Sequence, residues 1–252
     1  MTVRYELNPP KLPNDTLSTG EIEKLLEKLK QRVSEISQSC DGIHVTDSVL
    51  GTKRVSPIKA SELIRKNFPN LKITISLRVR DKELAEIEKI VNDAIELKLN
   101  GVLVLQGDPS PENPKNSGLI PSQVVKHLKE LGLDNKIDLF LSLPSNPNFD
   151  KIQKKIDAKP TGFITQVIGS EEQVSKIVEH LKPQGFKIIP ILLYPSQKNQ
   201  KSAEFLKLDW SNYQNRFLDF VRDVHNLCDN VLITSPSDFS GVKKELENFI
   251  IE

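Results

Sequence analysis

Apolar and polar positions follow two periods along this chain of 252 residues. Short β-branched stretches alternate every second residue or are apolar throughout, which is typical of strands, while longer stretches repeat apolar residues every three to four positions, which is typical of amphipathic helices. The first strand is predicted over Val3–Leu7, where apolar residues alternate with Arg4 and Glu6. It stops at Pro9 and Pro10, because proline lacks the N–H that a strand ladder needs.

Seven further strands are predicted from the same patterns, and helical stretches separate them. The strands are Gly42–Ser48, Lys72–Val79, Gly101–Leu105, Ile137–Leu143, Gly162–Ile168, Phe186–Leu193 and Val231–Thr234. The helices begin near Ser18, Ser56, Asp81, Pro121, Phe149, Ser170, Gln200, Asn212 and Gly241. Regular alternation of strands and helices predicts a parallel sheet. No Gly-x-Gly-x-x-Gly turn follows the first strand, so we predict one α/β domain over residues 1–252, a closed (β/α)8 TIM barrel.

Composition and charge exclude several classes of function. The net charge of +1 gives no electrostatic surface for nucleic acid. No apolar run is long enough to span a membrane, and the N-terminus has no apolar secretory segment, so we expect a cytoplasmic protein. No spacing of His or Cys residues is typical of a metal site, so no metal is predicted. The histidines are interpreted as surface or helix residues, with His44 the only one on a strand.

Polar residues end most of the predicted strands, and strand ends line the mouth of a barrel. Two acids and an amide stand out there, followed by basic residues in the helix after strand five. Together they suit proton chemistry beside an anionic cofactor. The strand-end residues are Glu6, Thr46, Asp47, Ser48, Arg78, Arg80, Asp81, Gln106, Gly107, Asp108, Thr165, Gln166, Tyr194, Thr234 and Ser235, and the basic residues are Lys151, Lys154 and Lys155.

Five motifs in register resemble those of the methylenetetrahydrofolate reductase family. The segment Tyr5–Pro10 is similar to the family's aromatic-Glu-x-x-Pro-Pro signature on the first strand. Val45–Ser48, with Gly51, Arg54 and Ser56-Pro57 after it, resembles the end of strand two in its shorter members. The remaining three are Leu77–Asp81, similar to Leu-Thr-Cys-Arg-Asp, Leu105–Pro109, similar to Leu-Arg-Gly-Asp-Pro, and Ile164–Gln166, identical to Ile-Thr-Gln.

This resemblance implies a flavoprotein oxidoreductase of one-carbon metabolism, linked to methionine biosynthesis. FAD, reduced by NADH or NADPH, would reduce 5,10-methylenetetrahydrofolate or a related tetrahydropterin to its 5-methyl form. Glu6 would be the general acid, Asp108 would lie near both flavin and substrate, and Gln166 would bind the pterin. The implied cofactor-binding residues are Asp47, Arg80, Asp81, Gln106, Gly107, Asp108, Asn148, Lys151, Lys154 and Lys155.

The chain departs from the family pattern at flavin-facing positions. Ser76 stands where many members have His, Gln106 replaces Arg, Leu143 replaces Tyr, and Val167 stands where Phe is common. Two alternatives therefore stay open. The barrel could bind a pterin without flavin, as a reductase or methyltransferase, or it could be a non-catalytic pterin-binding subunit. A homo-oligomer and an electron-donating partner subunit are both compatible with the sequence.

Overall fold

Eight parallel strands form a closed barrel in the computed structural model, which describes residues 2–12, 18–109 and 115–250. Each strand pairs with the next in sequence, and β8 pairs with β1. The predicted TIM barrel is confirmed. The strands are β1 Thr2–Leu7, β2 Gly42–Val45, β3 Lys72–Arg78, β4 Gly101–Leu105, β5 Asp138–Leu143, β6 Gly162–Val167, β7 Lys187–Leu193 and β8 Asn230–Thr234.

Helices surround the barrel and follow the strands in sequence. Three of the serines near which helices were predicted to begin are N-caps: Ser18 forms a reciprocal capping box with Glu21, while Ser56 and Ser170 each accept a hydrogen bond from the first turn of their helix. The α-helices within the described ranges are α1 Thr19–Ile36, α2 Pro57–Asn67, α3 Leu84–Glu96, α4 Pro121–Glu130, α5 Gln153–Ile156, α6 Glu171–Leu181, α7 Gln200–Leu206, α8 Phe217–Cys228 and α9 Phe239–Ile250. None of these helices is long and apolar enough to cross a bilayer.

The two faces of each strand contribute to different cores. On β1, Val3, Tyr5 and Leu7 are buried against the helices, so Arg4 and Glu6 face the barrel interior because side chains alternate along a strand. A separate apolar cluster fills part of that interior; it consists of Leu103, Phe140, Ile164, Ile189 and Leu232. The alternation that predicted β1 therefore also directs Glu6 inward.

Several element boundaries differ from the sequence prediction by one to a few residues, and two of these differences are explained by contacts in the structure. Strand β2 ends at Val45 rather than Ser48, since the chain turns through Ser48 with a φ of 45°. Helix α8 begins at Phe217 rather than Asn212. The Tyr213 hydroxyl donates to the Leu193 carbonyl at 3.1 Å, and this buried contact holds the chain in a turn before the helix begins.

Candidate active site

Glu6 lies near the C-terminal end of β1, partly buried at the mouth of the barrel. Its Oε1 accepts a hydrogen bond of 2.7 Å from the Thr234 hydroxyl on β8. Burial raises the pKa of the Glu6 carboxyl above its ordinary value, and the Thr234 hydrogen bond opposes that shift only in part. Glu6 can therefore keep a proton at a higher pH than an exposed glutamate, as a general acid requires.

His44 occupies the neighbouring position on β2, in register with Glu6. It is 1% exposed, so its predicted surface location is wrong. Its two ring nitrogens lie 2.9 Å from the hydroxyls of Thr74 and Ser76 on β3. Burial, with a smaller effect of the Arg4 charge, lowers the pKa of His44 to about 3, so the imidazole is neutral near pH 7. The sequence signal that could have indicated this burial is the position of His44 between two apolar residues on a predicted strand.

Arg78 connects three loops at the mouth of the barrel, although sequence analysis gave it no specific role. The side chain is 2% exposed. Its guanidinium donates to the carbonyls of Ser48 at 3.1 Å and Asp108 at 3.0 Å, and lies 3.5 Å from the Asp81 carboxylate. Gly107, with a φ of +81°, allows this approach, because a Cβ there would lie 2.8 Å from Arg78 Nε. Arg78 therefore fixes the backbone that carries Asp108.

Asp108 itself is exposed at the mouth, in the loop after β4. Its Oδ2 accepts a hydrogen bond of 3.2 Å from the backbone N–H of Leu50. Leu50 has a left-handed φ of 56°, which costs a non-glycine residue about 1 kcal/mol or more. The contact joins the loops after β2 and β4, and it leaves the Asp108 carboxylate accessible from the mouth.

Gln166 reaches the mouth from β6, where the strand register is irregular. The β6–β7 ladder shifts between Ile164 and Val167. The Thr165 hydroxyl fills the gap, accepting the Ile191 N–H at 3.1 Å and donating to the Gln166 carbonyl at 2.6 Å. The Gln166 side chain is exposed, and its amide can both donate and accept hydrogen bonds to a polar heterocycle.

Three of the predicted cofactor-binding residues form contacts within the rim itself. Lys82 lies 3.4 Å from Asp47 and 3.5 Å from Asp81. Asp47 also accepts the Arg78 backbone N–H at 3.2 Å. The Arg80 guanidinium donates to the Gly107 carbonyl at 3.0 Å. These contacts stabilise the rim, and the cofactor role of the three residues stays a prediction.

The basic stretch after β5 forms a short 3₁₀ turn followed by α5. Lys151 and Lys154 are exposed, and Asn148 accepts the Lys151 backbone N–H at 3.1 Å. Lys155 is partly buried, and its ammonium donates to the Ser142 carbonyl at the end of β5 at 2.5 Å. Burial lowers the pKa of Lys155. Lys151 and Lys154 are thus available to bind an anion, while Lys155 holds this stretch against β5.

Gln106 and Gly107 complete the predicted set, in the partly buried loop that leads from β4 to Asp108. The Gln106 carbonyl accepts the Arg80 backbone N–H at 3.1 Å, so this loop continues the pairing of β3 and β4. Among the described residues, no group of three or more His, Cys, Asp or Glu side chains could hold a metal ion. The described ionisable groups at the mouth contact hydroxyls, backbone carbonyls, backbone N–H groups and one another.

The fold and this cluster define a (β/α)8 barrel with a partly buried acid where the active sites of such barrels lie. The methylenetetrahydrofolate reductase family model matches residues 1–214. The chain belongs to this family.

Solved structures that resemble the chain show the same fold at low sequence identity. A ligand complex of KGPDC from Streptococcus mutans has a TM-score of 0.53 and 11% identity, covering 99% of this chain and 97% of that one. A second KGPDC structure from the same organism has a TM-score of 0.53 and 12% identity, with 99% and 96% coverage. A protein from Aquifex aeolicus has a TM-score of 0.54 and 13% identity, with 99% and 90% coverage. No curated protein sequence matches significantly.

Proposed function

We propose that this protein is an oxidoreductase that reduces 5,10-methylenetetrahydrofolate, or a related methylene-tetrahydropterin, to the 5-methyl form. The observation that carries the proposal is Glu6, an acid with a raised pKa at the mouth of a barrel of this family. FAD, reduced by NADH or NADPH, supplies the hydride when bound. This chain's own residues bind the pterin, exclude water and deliver a proton.

Glu6 is the proposed proton donor. The five-membered ring of the substrate opens when the bond from the methylene carbon to one nitrogen breaks, and that departing nitrogen must accept a proton. The Thr234 hydroxyl donates to Glu6 Oε1, so it orients the carboxyl and leaves Oε2 to carry the proton. Water exclusion raises the pKa of the carboxyl so that it carries a proton at a higher pH, and the departing nitrogen becomes basic enough to accept that proton as its bond to the methylene carbon breaks.

Asp108 and Gln166 are the proposed binding residues on the opposite wall of the mouth. Asp108 accepts hydrogen bonds, and its backbone is fixed by the buried Arg78 guanidinium. Gln166 is exposed at the irregular end of β6, where its amide can pair with the donors and acceptors of a pterin ring. A rigid strand end and a fixed loop would hold the ring in one orientation.

The residues present fit FAD in part. Lys151 and Lys154 are exposed cations on the stretch after β5, suited to a pyrophosphate. Gly107 is needed for the rim itself, because a Cβ there would lie 2.8 Å from Arg78 Nε. Asp47, Arg80 and Asp81 already form contacts within the rim. We therefore propose that these residues stabilise the loops that a flavin would contact.

The decisive experiment combines an absorption spectrum with a turnover assay. Purified protein incubated with FAD and passed through a desalting column should keep the visible absorption bands of a flavin. It should then reduce 5,10-methylenetetrahydrofolate with NADH, NADPH or an artificial donor. A colourless protein that turns over with NAD(P)H would identify a flavin-free reductase. A protein that binds the pterin and turns over with no donor would overturn the enzymatic proposal in favour of a pterin-binding subunit.

A further inference from the structure

A buried amide joins the ends of β7 and β8. It belongs to Asn199, which ends the short 3₁₀ turn after β7 and is 0% exposed. Its Nδ2 donates to the Tyr194 carbonyl and to the Ser235 hydroxyl, each at 2.9 Å, and its Oδ1 accepts the Ser237 backbone N–H at 3.0 Å. A side-chain amide has two N–H donors and one acceptor oxygen, so both donors and the acceptor of Asn199 have partners.

The partners of Asn199 flank a backbone hydrogen bond beyond the last paired residues of β7 and β8. In that bond, the Tyr194 N–H donates to the Thr234 carbonyl at 3.0 Å. Asn199 holds the carbonyl of Tyr194 on one side and the hydroxyl of Ser235, the residue after Thr234, on the other. The Ser235 hydroxyl in turn donates to the Asp238 carbonyl at 2.8 Å. The backbone around Thr234 is therefore held from β7 and from the turn before α9.

The Thr234 hydroxyl depends on the position of this backbone. It donates to Glu6 Oε1 at 2.7 Å, and a threonine side chain has little freedom at χ1, so a displaced backbone carries the hydroxyl with it. The hydrogen bond opposes the rise that burial causes in the pKa of Glu6. Asn199 contacts the neighbours of Thr234, so its influence on the carboxyl passes through Thr234.

The ionisable groups around Glu6 lie on other elements than Asn199. His44 is in register with Glu6 on β2 and is neutral near pH 7. Burial, with a smaller effect of the Glu6 charge, raises the pKa of Tyr5 on β1. The cations that line the cavity outside Glu6 are Lys11, Arg32 and Arg54. An uncharged substitution of Asn199 removes none of these charges, so it tests geometry alone.

We infer that Asn199 is a positioning residue, which fixes the end of β8 so that the Thr234 hydroxyl stays on Glu6 Oε1. The inference rests on the proposed function, because that function makes Glu6 the proton donor. Residues that hold a reacting group in place work best when their own side chains are locked by hydrogen bonds. Asn199 meets this condition, and it acts through Thr234 rather than on a reacting atom.

The test measures the protonation of Glu6 by ¹³C NMR in protein labelled at the glutamate side-chain carboxyl. The Glu6 resonance is identified by its loss in Glu6→Gln. In Asn199→Ala, the midpoint of its titration should move to higher pH by up to about one pH unit, the equivalent of one net hydrogen bond. Ser235→Ala removes the hydroxyl that Asn199 holds, and it should move the midpoint in the same direction by less.

A double variant separates positioning from a general loosening of the barrel. The hydrogen bond to Glu6 is already absent in Thr234→Val, so adding Asn199→Ala should not move the midpoint further. The control is Asn100→Ala. Asn100 Oδ1 accepts the Ile73 N–H at 2.8 Å at the opposite end of the barrel, so this variant should lower stability and leave the midpoint in place.

Three results would overturn the inference. They are an unchanged midpoint in Asn199→Ala, a further shift when Asn199→Ala is added to Thr234→Val, and an equal shift in Asn100→Ala. If Asn199→Ala does not fold, an unchanged midpoint in Ser235→Ala has the same consequence.

Failure of this inference and failure of the proposed function can be told apart, because the titration needs no turnover. A shifted midpoint in a protein that reduces no methylene-pterin would retain the positioning role and reject the reductase. In an active enzyme, the decrease of kcat/KM at alkaline pH should occur at a higher pH in Asn199→Ala than in the wild type. An active enzyme in which Asn199→Ala changes neither that profile nor the midpoint would retain the reductase and reject the positioning role.

Discussion

The two sides of the barrel interior differ in chemistry. The side formed by β1, β2 and β3 is polar and includes Glu6, His44 and Arg78. The side formed by β4 to β7 is apolar and is represented by Phe140 and Ile164. The comparison indicates that one side carries the ionisable groups while the other supplies the packing that holds the barrel closed.

The polar side is compatible with a stable fold because most of its polar groups have hydrogen-bond partners, although Arg4 Nε and Arg78 Nε are buried without one. Both ring nitrogens of His44 meet hydroxyls, and Glu6 accepts from Thr234. A buried polar group without a partner costs about 1–3 kcal/mol, so this side tolerates few substitutions that remove one partner. The apolar side depends on volume instead, and its residues should respond to cavity formation rather than to pH.

Glu6→Gln should have the largest effect on activity. The amide keeps the size of the side chain but cannot donate the acid proton, so methylene-pterin reduction should fall about 10²- to 10⁴-fold. Oxidation of NAD(P)H by an artificial acceptor should stay near the wild-type rate. Steady-state kinetics of both half-reactions measures this, with exposed Glu23→Gln as the control. A wild-type reduction rate in Glu6→Gln would show that another group supplies the proton.

Phe140→Ala should have the largest effect on stability. Phe140 is 1% exposed in the interior apolar cluster, and truncating a buried phenylalanine costs about 3–5 kcal/mol. Urea unfolding should show this loss. The control is Phe205→Ala, because Phe205 is 70% exposed and should change the unfolding free energy by less than about 0.5 kcal/mol. Equal losses of unfolding free energy in both variants would contradict the conclusion that the apolar side supplies the packing of the barrel.

Arg78→Lys tests whether the polar side holds the loops at the mouth of the barrel in place. Lysine cannot bond Ser48 and Asp108 together, so we expect a loss of about 1–3 kcal/mol and a raised KM for the pterin. Arg65 is a matched control, since it donates to the Leu97 carbonyl at 3.1 Å and to other carbonyls near the start of β3, away from the mouth. Arg65→Lys should lower stability without raising KM. A raised KM in both variants would indicate a general loosening of the barrel.

Much of this picture followed from local sequence patterns, and the rest required tertiary contacts. Alternation along β1 predicted that Glu6 and the apolar residues face opposite ways, and the barrel and the family are confirmed. The pairing of Asp47 with Lys82 could not be predicted, because Lys82 reaches Asp47 only when the ends of β2 and β3 are adjacent. His44 was misjudged, since its burial depends on the hydroxyls that β3 places beside it. The site roles stay predictions.

His44→Asn should change the pH dependence of stability. The folded pKa is lowered to about 3, while an unfolded histidine titrates near pH 6.5. The neutral buried ring therefore contributes stability above about pH 6.5 that is lost as pH falls towards about 3, with a slope of up to about 1.4 kcal/mol per pH unit. Urea unfolding from mildly acidic to mildly alkaline pH measures it. The variant should lose this part of the slope; an unchanged slope would show that burial does not lower the pKa of His44 below that of the unfolded chain.

Thr234→Val should have the smallest effect on activity. It should separate the two influences on the pKa of Glu6, which are burial and the hydrogen bond from Thr234. The Thr234 hydrogen bond favours the Glu6 carboxylate, so removing it should raise the pKa of Glu6 further above its ordinary value. The acid form of Glu6 then persists to higher pH. The decrease of kcat/KM on the alkaline side of its pH profile should therefore occur at a higher pH. Orientation of the carboxyl is partly lost, so the rate on the plateau should fall about two- to tenfold, the equivalent of one net hydrogen bond. Thr74→Val, which removes a hydroxyl that contacts His44 rather than Glu6, should leave the alkaline limb in place. A downward shift in Thr234→Val would show that Thr234 stabilises the protonated carboxyl instead.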